Sequence, residues 1–540
     1  MVTSAQSLWF YHTMTLIPFR LYEDSIMTVS HHLIHKYNVS GPRYTSYPTV
    51  PYWQEQDFTV PAYLQTLART FIESNQRDGI SLYIHLPFCE SLCTFCACNH
   101  RITKNHSVEA GYIANVLREW RMYIDELAKH SNERPRIREI HLGGGTPTFF
   151  SPENLNTLLN GLFEHADRAE NHEFSFEGHP NNTTEAHLQT LYDLGFRRVS
   201  FGVQDYDPKV QKAINRIQPF ENVARVHEAA RRIGYTSISH DLVFGLPHQQ
   251  LDSMRHTIEK TASLAPDRLA FYSYAHVPWL KNNGQRGFNE ADLPSGPEKR
   301  ALYELGKELF DTLGYIEVGM DHFARDTDTL YKAMIEGRLH RNFMGYTETN
   351  TRLMISLGVS SISDTWYAFA QNEKKLDDYN ARITNGEWPL IRGHILTPTD
   401  LIVRQHILNI MCRMHTDWRT EQMQLPELPL IIERLKSMQE DGLLEIHGDG
   451  LTVLEVGRPF IRNIAMAFEQ GVKYAEHKWL VLAHQDVYLP QGWLADVQHA
   501  WHMAEQKLGR TIGVAGVAGM VQNAAGDFDF AGCAMDRIYT

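Results

Sequence analysis

The run Leu82-Tyr83-Ile84-His85-Leu86-Pro87-Phe88-Cys89-Glu90-Ser91-Leu92-Cys93-Thr94-Phe95-Cys96-Ala97-Cys98-Asn99 decides how the rest of the chain is read. It opens with a short apolar β-type run, and four of the chain's six cysteines follow within ten residues. Such crowding does not fit a dispersed disulfide framework; in a chain of this size it reads as a metal or redox site in a reducing compartment. Cys89, Cys93 and Cys96 make a C-x3-C-x2-C core. Three thiolates on one loop can hold three irons of a [4Fe-4S] cluster and leave the fourth open to a small molecule's amine and carboxylate; a closed electron-transfer cluster takes four Cys ligands. A structural zinc site is the competing reading, but zinc usually takes two separated Cys/His pairs, and no second pair of suitable spacing is evident. Cys98 is open to two readings, because a fourth ligand separated by one residue from Cys96 makes tetrahedral capping awkward.

Outward from this loop, short apolar runs alternate with longer amphipathic ones. The candidate strands are Leu82–Leu86, Ile137–Leu142, Glu173–Glu177, Arg198–Val203, Ser237–Phe244 and Arg268–Tyr274. A helical stripe begins near Ser107 with Tyr112, Ile113, Val116, Leu117, Trp120 and Tyr123, and start signals recur at Ser151-Pro152, Thr183-Thr184 and Phe220. Six β/α repeats with right-handed crossovers predict an α/β fold, a partial (β/α)6 TIM-like barrel. Reacting sites in such barrels lie at the C-terminal strand ends. There the chemistry-bearing residues gather: Cys89 after the first strand, Gly143–Thr146 after the second, Glu177 ending the third, Gln204 after the fourth, Asp241 within the fifth and Ala275 after the sixth.

The three consecutive glycines Gly143-Gly144-Gly145, followed by Thr146, present no side chains of their own to obstruct a ligand, and their N–H groups are expected to meet a carboxylate. A glycine run alone often marks only a turn; its place beside the cysteine loop is what gives it weight. Glu177, Gln204, Arg216 and Asp241 add groups that can accept from an ammonium or a ribose hydroxyl, or pair with a carboxylate.

The C-x3-C-x2-C core with Phe95 before its last Cys is similar to the signature of radical S-adenosylmethionine (SAM) enzymes. Tyr83-Ile-His85-Leu-Pro87-Phe-Cys89 and the added Cys98-Asn99 resemble the oxygen-independent coproporphyrinogen III oxidases, and the resemblance extends from about Ser30 to Gln470. It implies that Cys89, Cys93 and Cys96 bind the cluster, and that Cys98 is needed for activity without being a ligand. It implies SAM contacts from Tyr83, Phe95, Gly144, Gly145, Thr146, Glu177, Gln204, Arg216, Asp241, Ala275 and Ile362, in a site that in this family can hold two SAM molecules. Phe-Glu177-Gly-His179-Pro departs from the pattern, since many members carry an acidic residue where His179 stands. Gly41-Pro-Arg43-Tyr44-Thr-Ser-Tyr47-Pro resembles the family's N-terminal arm, and Gly319–Arg325 and His340–Thr347 add to the match. A tetrapyrrole with four propionates needs cations, hydroxyls and aromatic surface, so Arg43, Tyr44, Tyr47, His322, Arg325 and Arg341 are the expected substrate residues. The implied reaction is reductive cleavage of SAM to a 5′-deoxyadenosyl radical, hydrogen abstraction from the β-carbon of a propionate, and loss of carbon dioxide and one electron to leave a vinyl group. Two turns convert coproporphyrinogen III to protoporphyrinogen IX. A small reductant such as a flavodoxin is implied by the family, with no motif of its own here.

The chain has 540 residues, a net charge of −13, 43% hydrophobic and 21% charged residues. This is ordinary globular composition, and the acidic balance argues against general nucleic-acid binding. No apolar run is long enough to cross a bilayer, and Leu8–Leu21 lacks the basic flank and cleavage site of a signal peptide; a cytoplasmic monomer is expected. The expected segments are an unmatched extension at 1–26, the arm and a helix at 27–80, the barrel at 81–320, a substrate-side extension at 321–397, a helical, winged-helix-like unit at 398–472 and a remainder at 473–540. Met27 is a candidate start. In the remainder, Trp479–Trp493 with Asp486 resembles part of a family-2-like glycosyltransferase, too short for a nucleotide-sugar domain and expected as a truncated fusion or reading-frame artefact. The apolar run Gly513–Met520 is expected to lower solubility. Two other functions remain in play: a haem-carrying chaperone on the same barrel, marked by haem retention without turnover, and a metal-binding winged-helix DNA module, marked by zinc without iron or by salt-sensitive DNA binding.

Overall fold

A computed structural model of the chain describes residues 31–37, 39, 41–278, 285–476, 520–522 and 528–530. The six expected strands are present: β1 (Ile80–Leu86), β2 (Arg136–Gly144), β3 (Asp167–Gly178), β4 (Phe196–Gln204), β5 (Ser237–Phe244) and β6 (Arg268–Ser273). They lie side by side and parallel, with Leu82 opposite Ile140, Ile140 opposite Phe174, Phe176 opposite Val199, Phe201 opposite His240 and Asp241 opposite Ala270. The connecting helices Val108–Leu127, Pro152–Phe163, Glu185–Asp193 and Phe220–Ile233 begin where the start signals stand, and Leu251–Ser263 joins β5 to β6. Ser151 Oγ accepts from the Asn154 N–H at 3.2 Å, and Thr184 caps through the His187 N–H at 3.3 Å, so each satisfies a helix-terminal donor.

Each strand alternates two kinds of residue. Leu82, Ile84, Leu86, Ile140, Leu142, Phe174, Phe176, Val199 and Phe201 are almost wholly buried and pack in one layer with helix residues such as Trp120, Leu159 and Leu188. Each such side chain contributes about 1.5–3 kcal/mol by leaving water. The intervening residues, including Tyr83, His85, His141, Ser175, Glu177, Arg198, Ser200 and Asp241, fall on the opposite face because side chains alternate along a strand. The apolar layer thus holds a polar interior in place.

The sheet also extends beyond the six expected strands. A seventh parallel strand, β7 (Leu353–Leu357), pairs with β1, Ile80 opposite Leu353 and Ile84 opposite Leu357. Antiparallel strands follow on that side (Ile362–Asp364, Ala368–Asn372, Leu390–Ile395), and at the other edge His322–Ala324 pairs antiparallel with β6 and Ile316–Val318 with His322–Ala324. Residues 321–397 therefore supply five strands of the barrel's own sheet. Beyond them, helices Pro398–Arg413, Leu428–Glu440 and Ile461–Glu476 surround a small sheet in which Gly450–Val453 pairs with both Leu444–His447 and His415–Asp417. The hairpin after a helix matches the winged-helix-like pattern expected there.

The described residues up to Ala475 form one compact unit; in a second unit, which begins at Glu476, Met520–Gln522 pairs antiparallel with Phe528–Phe530. The 1–26 extension, the Trp479–Trp493 stretch and the Gly513–Met520 run, Met520 apart, lie outside the described residues. Among the described residues no helix is long and apolar enough to cross a membrane.

Candidate active site

The cysteine loop springs from β1 and is fastened on all sides by backbone bonds. Arg101 and Thr103 N–H groups donate to the Pro87 and Cys89 carbonyls at 2.7 and 2.9 Å, and His85 Nε2 bonds the Asn99 carbonyl at 2.9 Å. Thr94 N–H donates to Ile214 O at 2.9 Å, and Asn215 Nδ2 to Leu92 O at 2.7 Å. Hydrogen bonds also reach the sulfurs: Thr146 Oγ1 donates to Cys89 Sγ at 3.3 Å, Arg216 Nη1 to Cys93 Sγ at 3.6 Å and the Cys98 N–H to Cys96 Sγ at 3.4 Å. Burial pushes the Cys89 thiol up to about 11. The Cys98 hydrogen bond holds Cys96 below the usual thiol range and raises Cys98 in return.

The glycines pack against this loop. A Cβ on Gly145 would stand 2.6 Å from the Pro87 carbonyl carbon and oxygen, and one on Gly143 would stand 3.1 Å from the Tyr83 ring and 3.2 Å from Glu177 Oε1. Gly144 has φ +110°, and its Cβ would lie 2.7 Å from His85 Nδ1. One expectation is corrected here. The Gly145 N–H does not await a carboxylate, because it already donates to Leu86 O at 2.8 Å, as the following Thr146 N–H does to Phe88 O at 3.0 Å. The run clears space and binds the end of β2 to the cysteine loop.

The polar interior meets this cradle. His141 bonds Ser175 Oγ at 2.8 Å and Glu177 Oε1 at 3.4 Å, while Tyr83 OH bonds His85 Nδ1 at 3.1 Å. Ser200 Oγ donates to Asp241 at 2.7 Å, yet burial pushes the Asp241 carboxyl up to about 7. Arg216 Nη2 donates to Gly202 O at 2.6 Å, and its buried Nε has no partner among the described residues. Gln204 takes φ +68°, beside a Gly202 whose Cβ would stand 2.6 Å from the Gln204 amide nitrogen. Gln285, not foreseen from sequence, joins Phe95 to Ala275 by donating to both carbonyls, at 3.3 and 2.7 Å. Ile362 is half-buried and packs against a cluster of Trp53, Phe369 and Leu396. His179 is kept neutral, down to about 2, by burial and by the nearby Arg216, and its Nδ1 accepts from the Asn181 N–H at 3.2 Å.

The donor set fits an iron–sulfur cluster with an amino-acid-like ligand: three thiols on one loop, a side-chain-free cradle, and an unpartnered guanidinium nitrogen in the same region. Among the described residues the thiols are not gathered as a single metal ion would need, so the fit rests on donor chemistry.

On the substrate side, Arg43 pairs with Asp321 and lies over the Tyr272 ring, 5.8 Å from its centroid. Arg341 donates to the Arg43 carbonyl at 3.1 Å and lies over Tyr346 at 4.4 Å. Burial raises the Asp321 carboxyl although Arg43, Arg341 and Arg462 all pull it down, so three guanidinium groups share one carboxylate. Arg462 was not foreseen; its sequence signal is no more than its place within the span, to about Gln470, over which the resemblance runs. Its Nη1 donates to Gly41 O at 3.0 Å, and Tyr44 OH donates to Glu469 at 2.6 Å, pinning the arm to the helix Ile461–Glu476. Tyr47 is buried in the same core. His322 donates from Nδ1 to Met320 O at 3.1 Å, which leaves Nε2 to accept from Tyr272 OH at 3.3 Å; burial holds it neutral, down to about 3. Arg325 lies away from this cluster, beside Tyr315 and donating to Pro266 O at 3.2 Å near the start of β6.

Comparison with known proteins agrees with this geometry. The radical SAM superfamily profile matches residues 83–261. The oxygen-independent coproporphyrinogen III oxidase of Pseudomonas aeruginosa is 36% identical over 450 residues, 81% of this chain and 95% of the relative. That of Escherichia coli is 37% identical over 449 residues, 81% of this chain and 94% of the relative. The solved E. coli coproporphyrinogen III oxidase, described as a radical SAM enzyme, superposes with a TM-score of 0.74 at 35% identity, over 79% of this chain and 96% of that one. A cysteine loop at the mouth of a parallel β/α barrel, in a chain that matches these relatives over nearly their whole length, places this protein in the radical SAM family of oxygen-independent coproporphyrinogen III oxidases, enzymes of haem biosynthesis whose cofactors are a [4Fe-4S] cluster and SAM.

Proposed function

We propose that this chain oxidatively decarboxylates two propionates of coproporphyrinogen III to vinyl groups, giving protoporphyrinogen IX without oxygen. The observation that carries the reading is that two differently equipped regions meet at the neighbouring strands β5 and β6, where Tyr272 feels both Asp241 of the cofactor side and Arg43 and Arg341 of the arginine cluster. When bound, the cluster and SAM supply one-electron cleavage of the sulfonium and a carbon radical able to take hydrogen from a propionate.

Cys89, Cys93 and Cys96 hold the cluster in this reading, and Cys98 acts without ligating it. Arg216 Nε meets the methionine carboxylate, a charge-assisted bond that fixes orientation. Glu177, backed by His141, and Asp241, backed by Ser200, accept from the ammonium and ribose hydroxyls. Arg43, Arg341 and Arg462 bind substrate propionates, while Tyr272 and the neutral His322 border the macrocycle. The protein's contribution is to place the propionate β-carbon against the cofactor and keep water and oxygen away. A small one-electron carrier such as a flavodoxin supplies the reductant. The chain works as a cytoplasmic monomer, a compartment consistent with four closely spaced free thiols.

Anaerobic turnover of coproporphyrinogen III by the reconstituted protein with SAM and dithionite tests the reading, with Cys93→Ala as control. Protoporphyrinogen IX with 5′-deoxyadenosine, absent in the control, is the expected result. SAM cleavage without decarboxylation would overturn the substrate assignment, and haem retention without turnover would favour a chaperone.

A further inference from the structure

The chain carries a net charge of −13, yet the surface around the cysteine loop carries the opposite sign. Arg101 lies on the loop's return strand, and Lys104 follows Thr103, whose N–H donates to Cys89 O at 2.9 Å. Lys374 accepts at its carbonyl from Asn99 Nδ2 at 3.0 Å. The Arg286 N–H donates to Thr94 O at 3.3 Å, and Lys212 precedes Ala213, whose carbonyl accepts from Thr94 Oγ1 at 2.8 Å. All five residues are exposed, and none makes an ion pair among the described residues. Two acids stand among these five cations, Glu90 3.6 Å from His106 and Glu373 3.7 Å from Arg382, so the cations outnumber them. Two apolar side chains, Ile102 and Ile217, sit 40% and 60% exposed beside these cations.

We infer that this basic rim is the docking surface for an acidic one-electron carrier protein, which delivers its electron through the face where the cysteine loop meets solvent. The inference rests on the proposed function, because only a cluster in that loop gives the electron a destination. A carrier must bring its own centre close to the cluster, so its docking face has to surround this loop. Unpaired cations around it, on an otherwise acidic protein, steer an acidic partner here and repel it elsewhere. The small, charge-rimmed patch with two exposed isoleucines suits the brief contacts of redox encounters, which bury less than about 1,200 Å². The partner is reoxidised by one electron per encounter and leaves; no bond is made.

The test uses the reconstituted full chain, an acidic flavodoxin as probe, and the triple variant Arg101→Glu/Lys104→Glu/Lys374→Glu, with Arg255→Glu on the helix Leu251–Ser263 as a charge control. Two readouts are taken: the Kd for oxidised flavodoxin from flavin fluorescence at increasing salt, and stopped-flow bleaching of the cluster by reduced flavodoxin. Expected for the triple variant is binding and reduction at least about tenfold weaker at low salt, with reduction by dithionite and dithionite-driven turnover unchanged. Arg255→Glu should match the wild type, and wild-type binding should weaken steadily with salt. Equal flavodoxin binding and reduction by wild type and triple variant would overturn the inference, as would an equal loss in Arg255→Glu. Absence of dithionite-driven turnover in the wild type would instead indict the proposed function, leaving the binding comparison to judge the docking surface by itself.

Discussion

Substituting Gly145 by alanine tests the link between the glycine run and the cysteine loop. The added Cβ would stand 2.6 Å from the Pro87 carbonyl carbon and oxygen and 2.9 Å from Phe88 O, all backbone atoms that cannot rotate aside. Reaching the 3.4 Å of ordinary contact requires a retreat of about 0.8 Å, which pushes the segment leading into Cys89 away from β2. Two bonds lie across that seam, Gly145 N–H to Leu86 O at 2.8 Å and Thr146 N–H to Phe88 O at 3.0 Å. Lengthening each forfeits about 0.5–1.5 kcal/mol, and overpacking adds about 1–3 kcal/mol, so the fold should lose about 2–6 kcal/mol. A displacement near 1 Å at a reacting site costs about a hundredfold in rate. Thermal unfolding, iron and sulfide per chain after anaerobic reconstitution, and 5′-deoxyadenosine formation are the measurements. Gly111→Ala is the control: on the helix Val108–Leu127 its Cβ would meet nothing within 4 Å, and alanine there should stabilise by about 1 kcal/mol. If Gly145→Ala loads a full cluster, cleaves SAM at the wild-type rate and unfolds at the wild-type temperature, the glycine run is not packed as argued.

Asp241 is pushed up to about 7 from an ordinary 3.8, chiefly by burial. The folded state therefore keeps its proton where the unfolded chain has lost it, so stability falls as pH rises from about 4 to about 7 and then levels off; Asp241→Asn should remove that slope in unfolding temperature against pH while weakening SAM binding in calorimetry. Arg462→Met removes one of three guanidinium groups facing Asp321 and one charge-assisted bond of about 1.5–3 kcal/mol, so KM for coproporphyrinogen III should rise about 10–150-fold while uncoupled SAM cleavage persists. Glu119 is buried and accepts from Tyr379 OH and Asn372 Nδ2 at 2.6 Å and from the Gly358 N–H at 2.8 Å. Glu119→Gln turns one acceptor into a donor facing a donor and should cost about 1–3 kcal/mol in urea unfolding, with cluster loading unchanged.

The barrel strands were legible because their signal is local. Leu82-Tyr83-Ile84-His85-Leu86 and Phe174-Ser175-Phe176-Glu177 each carry their own β-type pattern, and the Ser151 and Thr184 caps announce the helices that follow. The cysteine spacing was legible for the same reason, since C-x3-C-x2-C is complete within one loop. What escaped depends on pairings between distant segments. Leu353–Leu357 is a short apolar run like many others, and only its register with Ile80–Ile84 makes it the seventh parallel strand. Gln285 and Arg462 carry no motif; they matter because the fold brings one between Phe95 and Ala275 and the other beside Asp321. The Gly145 N–H failed as an anion donor for an equally non-local reason, since its acceptor, Leu86 O, lies on a different strand.

The alternation within these strands also sorts the consequences of substitution. Leu82, Ile140, Phe176 and Val199 lie in the apolar layer shared with the helices, so truncating them opens cavities worth about 2–5 kcal/mol and leaves the site's chemistry to fail only with the fold. Tyr83, His141, Glu177 and Asp241 fall at the neighbouring positions, one residue away in sequence and on the opposite face. His141 bonds Ser175 and Glu177 across strands and Asp241 bonds Ser200, while Tyr83 bonds His85 on its own strand. Because the cross-strand bonds connect adjacent strands at their C-terminal ends, a single substitution of a residue that makes one disturbs the geometry of two strand ends at once. Paired substitutions there, such as His141→Ala with Glu177→Ala, should be non-additive in SAM affinity, whereas Ile140→Ala with Val199→Ala, on strands separated by β3, should add in stability. Additivity in the interior pair would mean that each strand end presents its side chain independently, and that the polar interior is an assortment of residues with no shared bonding to hold the cofactor.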